Sequence, residues 1–199
     1  PMPTPGRHAT RLVTRAVSTL EAAHDLVRAG RAPAALNFAS ARNPGGGFLN
    51  GARAQEESLC RASALYACIV GAPMYDAHRA SHDMMYTSWV LYTPGVPVFR
   101  DEDGALLEAP WRCAFLTSPA PNVKVLSERN PERLDALPGV YDERIARVLS
   151  VAALNGHAFS DARVTVVNDD AFRWLDESPP RRFGLAIVDL PDPTSYSVG

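Results

Sequence analysis

Two adjacent carboxylates, Glu56 and Glu57, follow a run of three glycines, Gly45-Gly46-Gly47, after seven intervening residues and Gln55. Successive glycines remove every Cβ, so a ligand can approach bare backbone N–H groups. A helix N-terminus just beyond would add unpaired donors and partial positive charge, which suits a phosphate. Two carboxylates beside such a loop suggest acid/base chemistry on a phosphorylated sugar. One could protonate a glycosidic oxygen while the other holds a ribose hydroxyl. The plainer alternative stays open at this point. A glycine run can be only a turn, and glutamates in a first helical turn can serve only the macrodipole. The spacing does not fit a Walker A loop, because no Gly-Lys-Ser/Thr follows, and G-x-G-x-x-G is broken by Asn50, so both are weak readings.

The elements that must position this loop read as follows. Ala34 to Ala39 is a short buried strand between Pro33 and the turn-rich stretch Asn43-Pro44-Gly45-Gly46-Gly47. A helix from about Gln55 to Val70 carries an apolar stripe of Leu59, Ala62, Leu65, Tyr66 and Ile69. Upstream, Val13 to Arg28 has helical spacing, with Gly30 as its stop. Downstream, strands are expected at Met85–Tyr92, Val96–Phe99 and Cys113–Leu116, with Asp101-Glu102-Asp103-Gly104 as a hairpin turn. Glu128 to Pro138 reads as a loop or short helical passage, and Glu143 to Asn155 as a helix. Arg163–Val167, Ala171–Leu175 and Leu185–Val188 read as strand, helix, strand. Strands mixed with helices in this order argue an α/β layered domain.

Composition agrees. The chain has 199 residues, 46% hydrophobic and 21% charged, which is a globular balance and not a disordered one. A net charge of −2, with Lys124 as the single lysine, argues against a dedicated DNA or membrane-surface binder. No apolar run reaches the ~20 residues of a membrane span, and Pro1 to Arg7 lacks a signal-peptide core. Three cysteines without a CxxC pair fit a reducing, cytoplasmic setting better than a disulfide framework or zinc site.

Other constellations carry a bland reading beside a functional one. His78 and His82, with Asp76 and Asp83 nearby, could form a metal-binding helix face, but a surface or loop role is favoured. Cys60 is either a thiol of lowered pKa near a helix start or, by default, a buried structural one. Met84-Met85-Tyr86 and Trp89 read as strand core. Phe99, Trp111 and Phe115 read as core, with adenine stacking as the alternative. Arg42 and Arg53 flank the glycine loop and either steer an anionic polymer or are solvated.

The stretch Gly45-Gly46-Gly47, seven residues, Gln55-Glu56-Glu57 resembles the signature of the poly(ADP-ribose) glycohydrolases. Leu36 to Ile69 looks like their bacterial, microbial-type branch. Ser118-Pro119-Ala120-Pro121-Asn122 and Glu143 to His157 are further similar segments, so the resemblance covers residues 11 to 157. It implies a macrodomain-like α/β fold, a mixed sheet sandwiched between helices. It also implies a hydrolase cleaving ribose–ribose O-glycosidic bonds of poly(ADP-ribose) to release ADP-ribose. Glu57 would be the general acid and then base, with Glu56 the second catalytic carboxylate. Glu56 and Asn43 would hold hydroxyls of the riboses flanking the scissile bond. Gly45, Gly46 and Gly47 would line the ribose–diphosphate path, with Phe48 and Gln55 also on the substrate side. No metal and no organic cofactor are implied, and the expected partner is poly(ADP-ribose) or ADP-ribose, bound by a monomer.

After Gly156-His157 the family pattern stops. Its second glycine-rich loop, which grips the diphosphate, has no counterpart between His157 and Gly199. Residues 158–199 instead resemble a stretch of spermidine synthases, through Asp169-Asp170 and Asp189-Leu190-Pro191-Asp192-Pro193. In that family the first pair would touch the adenine side of an aminopropyl donor, and Asp189 and Asp192 the amine. The glycine-rich donor motif of that fold is absent, so a turn after a buried strand is the simpler reading of residues 189–193. The expected organisation is a glycohydrolase-like domain over 1–157 and a divergent tail over 158–199. The alternative function is an ADP-ribose-binding macrodomain with little or no turnover.

Overall fold

Strand β1 (Ala34–Ala39) forms where the sequence places it, and its side chains alternate between half-buried and buried. The computed structural model describes residues 15–154. In it β1 runs parallel to β3 (Leu106–Pro119), from Ala34 opposite Ala114 to Ala39 opposite Pro119. Strand β2 (Leu91–Arg100) pairs antiparallel with β3, giving a mixed three-stranded sheet of order β1-β3-β2. The hairpin turn falls at Asp101–Gly104 as expected. The Asp101 N–H donates to Ala105 O, and the Ala105 N–H donates to Asp101 Oδ1.

Helix α1 (Thr19–Arg28) starts later than the apolar spacing suggests, because the Ser18 side chain accepts the Glu21 N–H and caps it there. The helix expected over 55–70 is two: α2 (Gln55–Ala62) and α3 (Leu65–Ile69). Ser63 between them is extended and bridges Val98 of β2, while the Ala64 N–H donates to Pro97 O. A long-range backbone pairing thus overrides a continuous apolar stripe. Helix α4 (Pro73–Ala80) follows.

The two strands expected over 85–99 are also revised. Residues 85–90 are not strand, and 91–100 form one strand with a bulge between Thr93 and Val96. Pro94 has no N–H to donate and Gly95 sits at φ +61, so the irregularity falls where the ladder cannot continue. Strand β3 extends well beyond the expected 113–116, because its first residues pair along the hairpin with exposed side chains that give no burial signal. Asn122 caps α5 (Val123–Arg129), which is followed by a 3-10 turn at Pro131–Ala136 and by α6 (Leu137–Leu154). Helix α6 begins six residues before the expected start.

Alternation along β3 buries both faces of the sheet. Phe115 packs with Leu59, Leu65, Ile69, Met74, Tyr75 and Val98 on one face. Leu116 packs with Val148 and Ala152 of α6 on the other. Helices therefore cover both faces, as the sandwich expectation required. Trp111 and Phe115 are core residues, and Trp111 stacks on His24 at 5.0 Å. Trp89 is 42% exposed in the 85–90 segment, so it is not strand core. The strand–helix–strand reading of 163–188 lies outside the described residues.

Candidate active site

The site begins at the C-terminal end of β1. Past Ala39 the chain turns through Ser40 to Gly47, makes a 3-10 turn at Phe48–Asn50, and enters α2 at Gln55. Both glutamates of the first turn of α2 point back into this loop, and both are buried, Glu56 at 4% and Glu57 at 7% exposure. Glu57 Oε1 accepts the Gly47 N–H at 2.7 Å. Its other oxygen, Oε2, is buried and has no hydrogen-bond partner. Glu56 is held at both oxygens. Oε2 accepts the Ser40 N–H at 2.7 Å, and Oε1 accepts the Gly45 N–H at 3.2 Å and Asn37 Nδ2–H at 3.4 Å. Burial nonetheless pushes the Glu56 carboxyl up from 4.5 to about 7, against the donors from Ser40, Asn37 and Gly45, with the neighbouring Glu57 adding to the rise.

The glycines serve the protein before any ligand. Their N–H groups are not the open phosphate cradle expected from the sequence. Those of Gly45 and Gly47 donate to the two glutamates, and that of Gly46 closes a turn on Asn43 O at 2.9 Å. The missing Cβ atoms are equally spoken for. At Gly46 (φ +58) a Cβ would sit 2.4 Å from Glu57 Oε1, at Gly45 2.8 Å from the Tyr66 ring, and at Gly47 2.7 Å from Ala52 Cβ. The triple glycine is what lets the loop fold against the acids.

Gln55 has a structural job. Its Oε1 accepts the Phe38 N–H at 2.9 Å, and its Nε2 donates to Leu36 O at 2.9 Å and Thr19 Oγ1 at 3.2 Å. It thereby pairs with the edge of β1 turned away from β3 as a neighbouring strand would. The Phe48 ring packs on Tyr66 at 5.1 Å. Asn43 is exposed, and its amide group has no hydrogen bond among the described residues. Of the predicted site residues, the structure gathers Glu56, Glu57, Gly45, Gly46 and Gly47 into one hydrogen-bonded cluster, with Asn43 at its rim.

The supports of the two acids are not marked by spacing in the sequence. Asn37 is fully buried on β1, where its Nδ2 also donates to Thr117 Oγ1 of β3 at 3.2 Å. An asparagine at the same parity as buried Ala35 and Ala39 was the available signal. Tyr75 of α4 is fully buried with an unpartnered hydroxyl; burial, then Glu56 and Cys60, push it up. Cys60 does not have a lowered pKa. Burial and the two glutamates raise it to about 12, so it is the structural thiol. The histidine pair forms no metal face: His78 is fully buried with both ring nitrogens engaged, His82 lies beyond α4, and no metal-binding cluster occurs among the described residues. Arg42 donates to Arg79 O instead of standing free. A separate groove of about 520 Å³, lined by Ser88, Trp89, Val90, Glu143, Arg147 and Val151, contains none of the predicted site residues.

Residues 2–101 match the family model described as microbial-type PARG, catalytic domain. The chain belongs to this family. Solved relatives agree with that membership. The poly(ADP-ribose) glycohydrolase of Thermomonospora curvata is 46% identical, with a TM-score of 0.73 over 77% of this chain and 56% of its own. That of Deinococcus radiodurans, in complex with ADP-ribose, is 43% identical, with a TM-score of 0.72 over 76% of this chain and 61% of its own. This member of the family therefore spans about three-fifths of those structures. Curated relatives match differently. Polyamine aminopropyltransferase 2 of Ralstonia nicotianae is 56% identical over 50 residues, which is 25% of this chain and 10% of that protein. No helix among the described residues is long and apolar enough to cross a membrane.

Proposed function

We propose that this glycohydrolase-family chain cleaves the ribose–ribose O-glycosidic bond of poly(ADP-ribose) and releases ADP-ribose. The observation that carries the reading is Glu57 Oε2. A buried carboxylate oxygen without a partner costs free energy unless a ligand meets it, while Oε1 is pinned by Gly47. Family membership supplies the substrate class, and the solved relative bound to ADP-ribose supports the same ligand here. Residues 1–157 form the glycohydrolase part in this reading, and 158–199 a separate tail.

In the proposed step, Glu57 donates its proton from Oε2 to the glycosidic oxygen as the C–O bond breaks. The leaving ribose departs as an alcohol, and the other ribose carries partial positive charge. The Glu57 carboxylate then takes a proton from water as that water bonds to the anomeric carbon, which restores the acid. The Gly47 N–H fixes the carboxyl's orientation throughout. Glu56 lies alongside, held by Ser40 and Gly45 and joining the ribose hydroxyls. The exposed Asn43 amide binds a hydroxyl of the adjoining ribose. Gly45 to Gly47 and Phe48 line the path, and Gln55 holds α2 against β1.

Purified protein is expected to shorten labelled poly(ADP-ribose). Glu57→Gln should reduce turnover by at least ~100-fold while retaining ADP-ribose binding by calorimetry and the wild-type melting temperature within a few degrees. Undiminished turnover in Glu57→Gln removes the residue from this role. ADP-ribose binding by wild type without polymer loss favours a reader instead.

A further inference from the structure

The imidazole of His78 is fully buried on α4 and bridges two segments distant in sequence. Nδ1 lies 3.0 Å from Ala41 O, in the loop between β1 and the glycines. Nε2 lies 2.7 Å from Thr87 Oγ1 and 3.3 Å from the Thr87 backbone nitrogen. A carbonyl only accepts and a backbone N–H only donates, so the partners decide the ring's state. The proton sits on Nδ1, and Nε2 accepts both from the Thr87 backbone and from its hydroxyl. Burial, with the Arg144 cation adding to it, keeps the ring's pKa below its ordinary value, against the bond to Ala41.

Ala41 stands between the groups that hold the acids. The Ser40 N–H donates to Glu56 Oε2, Ser40 Oγ accepts the Asn43 N–H, and Asn43 O accepts the Gly46 N–H. A second clasp joins α4 to the same place: Arg79 Nη1 donates to Arg42 O at 2.6 Å and Arg42 Nη2 to Arg79 O at 3.2 Å. On the far side, Thr87 follows Tyr86, a non-glycine residue at φ +58 whose ring leans on His78 at 5.4 Å. Past the turn at Met84–Met85, Thr87 thus delivers two donors to one imidazole nitrogen, and the other nitrogen carries a donor to the catalytic loop.

We propose that His78 is a positioning residue for the glycosidic cleavage. Thr87 fixes its Nδ1–H tautomer, and that N–H, bonded to Ala41 O, sets the loop that aims Glu56 and Glu57. The inference rests on the glycohydrolase reading above.

Two substitutions separate the halves of the bridge. The amide nitrogen of His78→Asn overlies Nδ1 and keeps the donor to Ala41; His78→Gln reaches toward Thr87 and loses that donor. With poly(ADP-ribose) as substrate, His78→Gln should lower kcat by about 100-fold, the effect of a displacement of about 1 Å at reacting groups. His78→Asn should stay within about tenfold of wild type, because it gives up only the two Thr87 contacts at Nε2 and keeps the bond to Ala41 O. The amide resonances of Gly45 and Gly47 should move in His78→Gln and not in His78→Asn. Nitrogen-15 spectra of wild type should show the proton on Nδ1. Thr87→Val removes the hydroxyl but leaves the Thr87 backbone N–H and Ala41 O, so the proton should stay on Nδ1 and kcat within about tenfold of wild type.

An Nε2–H ring in wild type, equal kcat losses in the Asn and Gln variants, or a proton moved to Nε2 in Thr87→Val overturns the assignment. Absence of polymer cleavage by wild type removes the glycohydrolase reading instead. The ring tautomer and the glycine resonances would then still report whether His78 sets the loop.

Discussion

Replacing Gly46 with alanine tests the central packing relation of the site. The residue sits at φ +58, where an L side chain costs about 1–2 kcal/mol. The new methyl carbon would lie 2.4 Å from Glu57 Oε1 and 3.0 Å from Glu56 Oε2, so the Glu57 carboxylate must retreat by about 1 Å to reach ordinary contact. That retreat breaks the 2.7 Å bond from the Gly47 N–H. A hydrogen bond to a charged group is worth roughly 1.5–3 kcal/mol. The combined loss of stability is therefore about 2.5–5 kcal/mol. A displacement of about 1 Å at the reacting group should lower kcat/KM for polymer hydrolysis by about 100-fold. Gly51→Ala is the control. It has the same sign of φ, +80, with nothing within 4 Å of the added carbon. It should lose about 1–2 kcal/mol and keep its kcat/KM. Denaturant titration and initial rates on both variants give the comparison. If Gly46→Ala keeps a kcat/KM within threefold of Gly51→Ala, the room left by Gly46 is not what aims Glu57.

Two further outcomes are expected. The Glu56 carboxyl is raised to about 7 in the folded protein from an ordinary 4.5, so the folded state holds its proton more tightly than the unfolded chain. The stability this confers is full below pH 4.5 and is lost as pH rises through 7, a change of about 3 kcal/mol. Urea unfolding at pH 5 and pH 8 should therefore show the stability gap between wild type and Glu56→Gln shrinking by about that amount, and a gap independent of pH contradicts the raised carboxyl. Gln55→Ala removes the bonds to Phe38 N–H and Leu36 O. It should cost about 1–3 kcal/mol of stability and leave the ADP-ribose dissociation constant within threefold, whereas a tenfold weaker complex with an unchanged melting temperature would make Gln55 a ligand contact.

What the sequence made legible was local. Ala34–Ala39 is bounded by Pro33 and a turn, and burial on both faces leaves it no other state than strand. The glycines and glutamates lie within thirteen residues of one another, so a single turn and helix start bring them together. What failed depended on partners far along the chain. Ser63 interrupts the helix because Val98 pairs with it, and β3 begins at Leu106 because β2 lies beside it. Asn37 meets Thr117, and His78 meets Ala41, only once the fold has formed. The glycine loop was legible as a place of close approach. What approaches is the chain's own acid pair, which spacing alone does not distinguish from a phosphate.

The most direct measurement is a crystal structure of Glu57→Gln with an ADP-ribose dimer, the smallest molecule that contains the scissile bond. The glycosidic oxygen is expected within about 3 Å of the residue-57 side-chain atom that replaces Oε2, with the other side-chain atom still at the Gly47 N–H. A bound dimer whose glycosidic oxygen meets a different donor, with the residue-57 side chain left buried behind the loop, contradicts it.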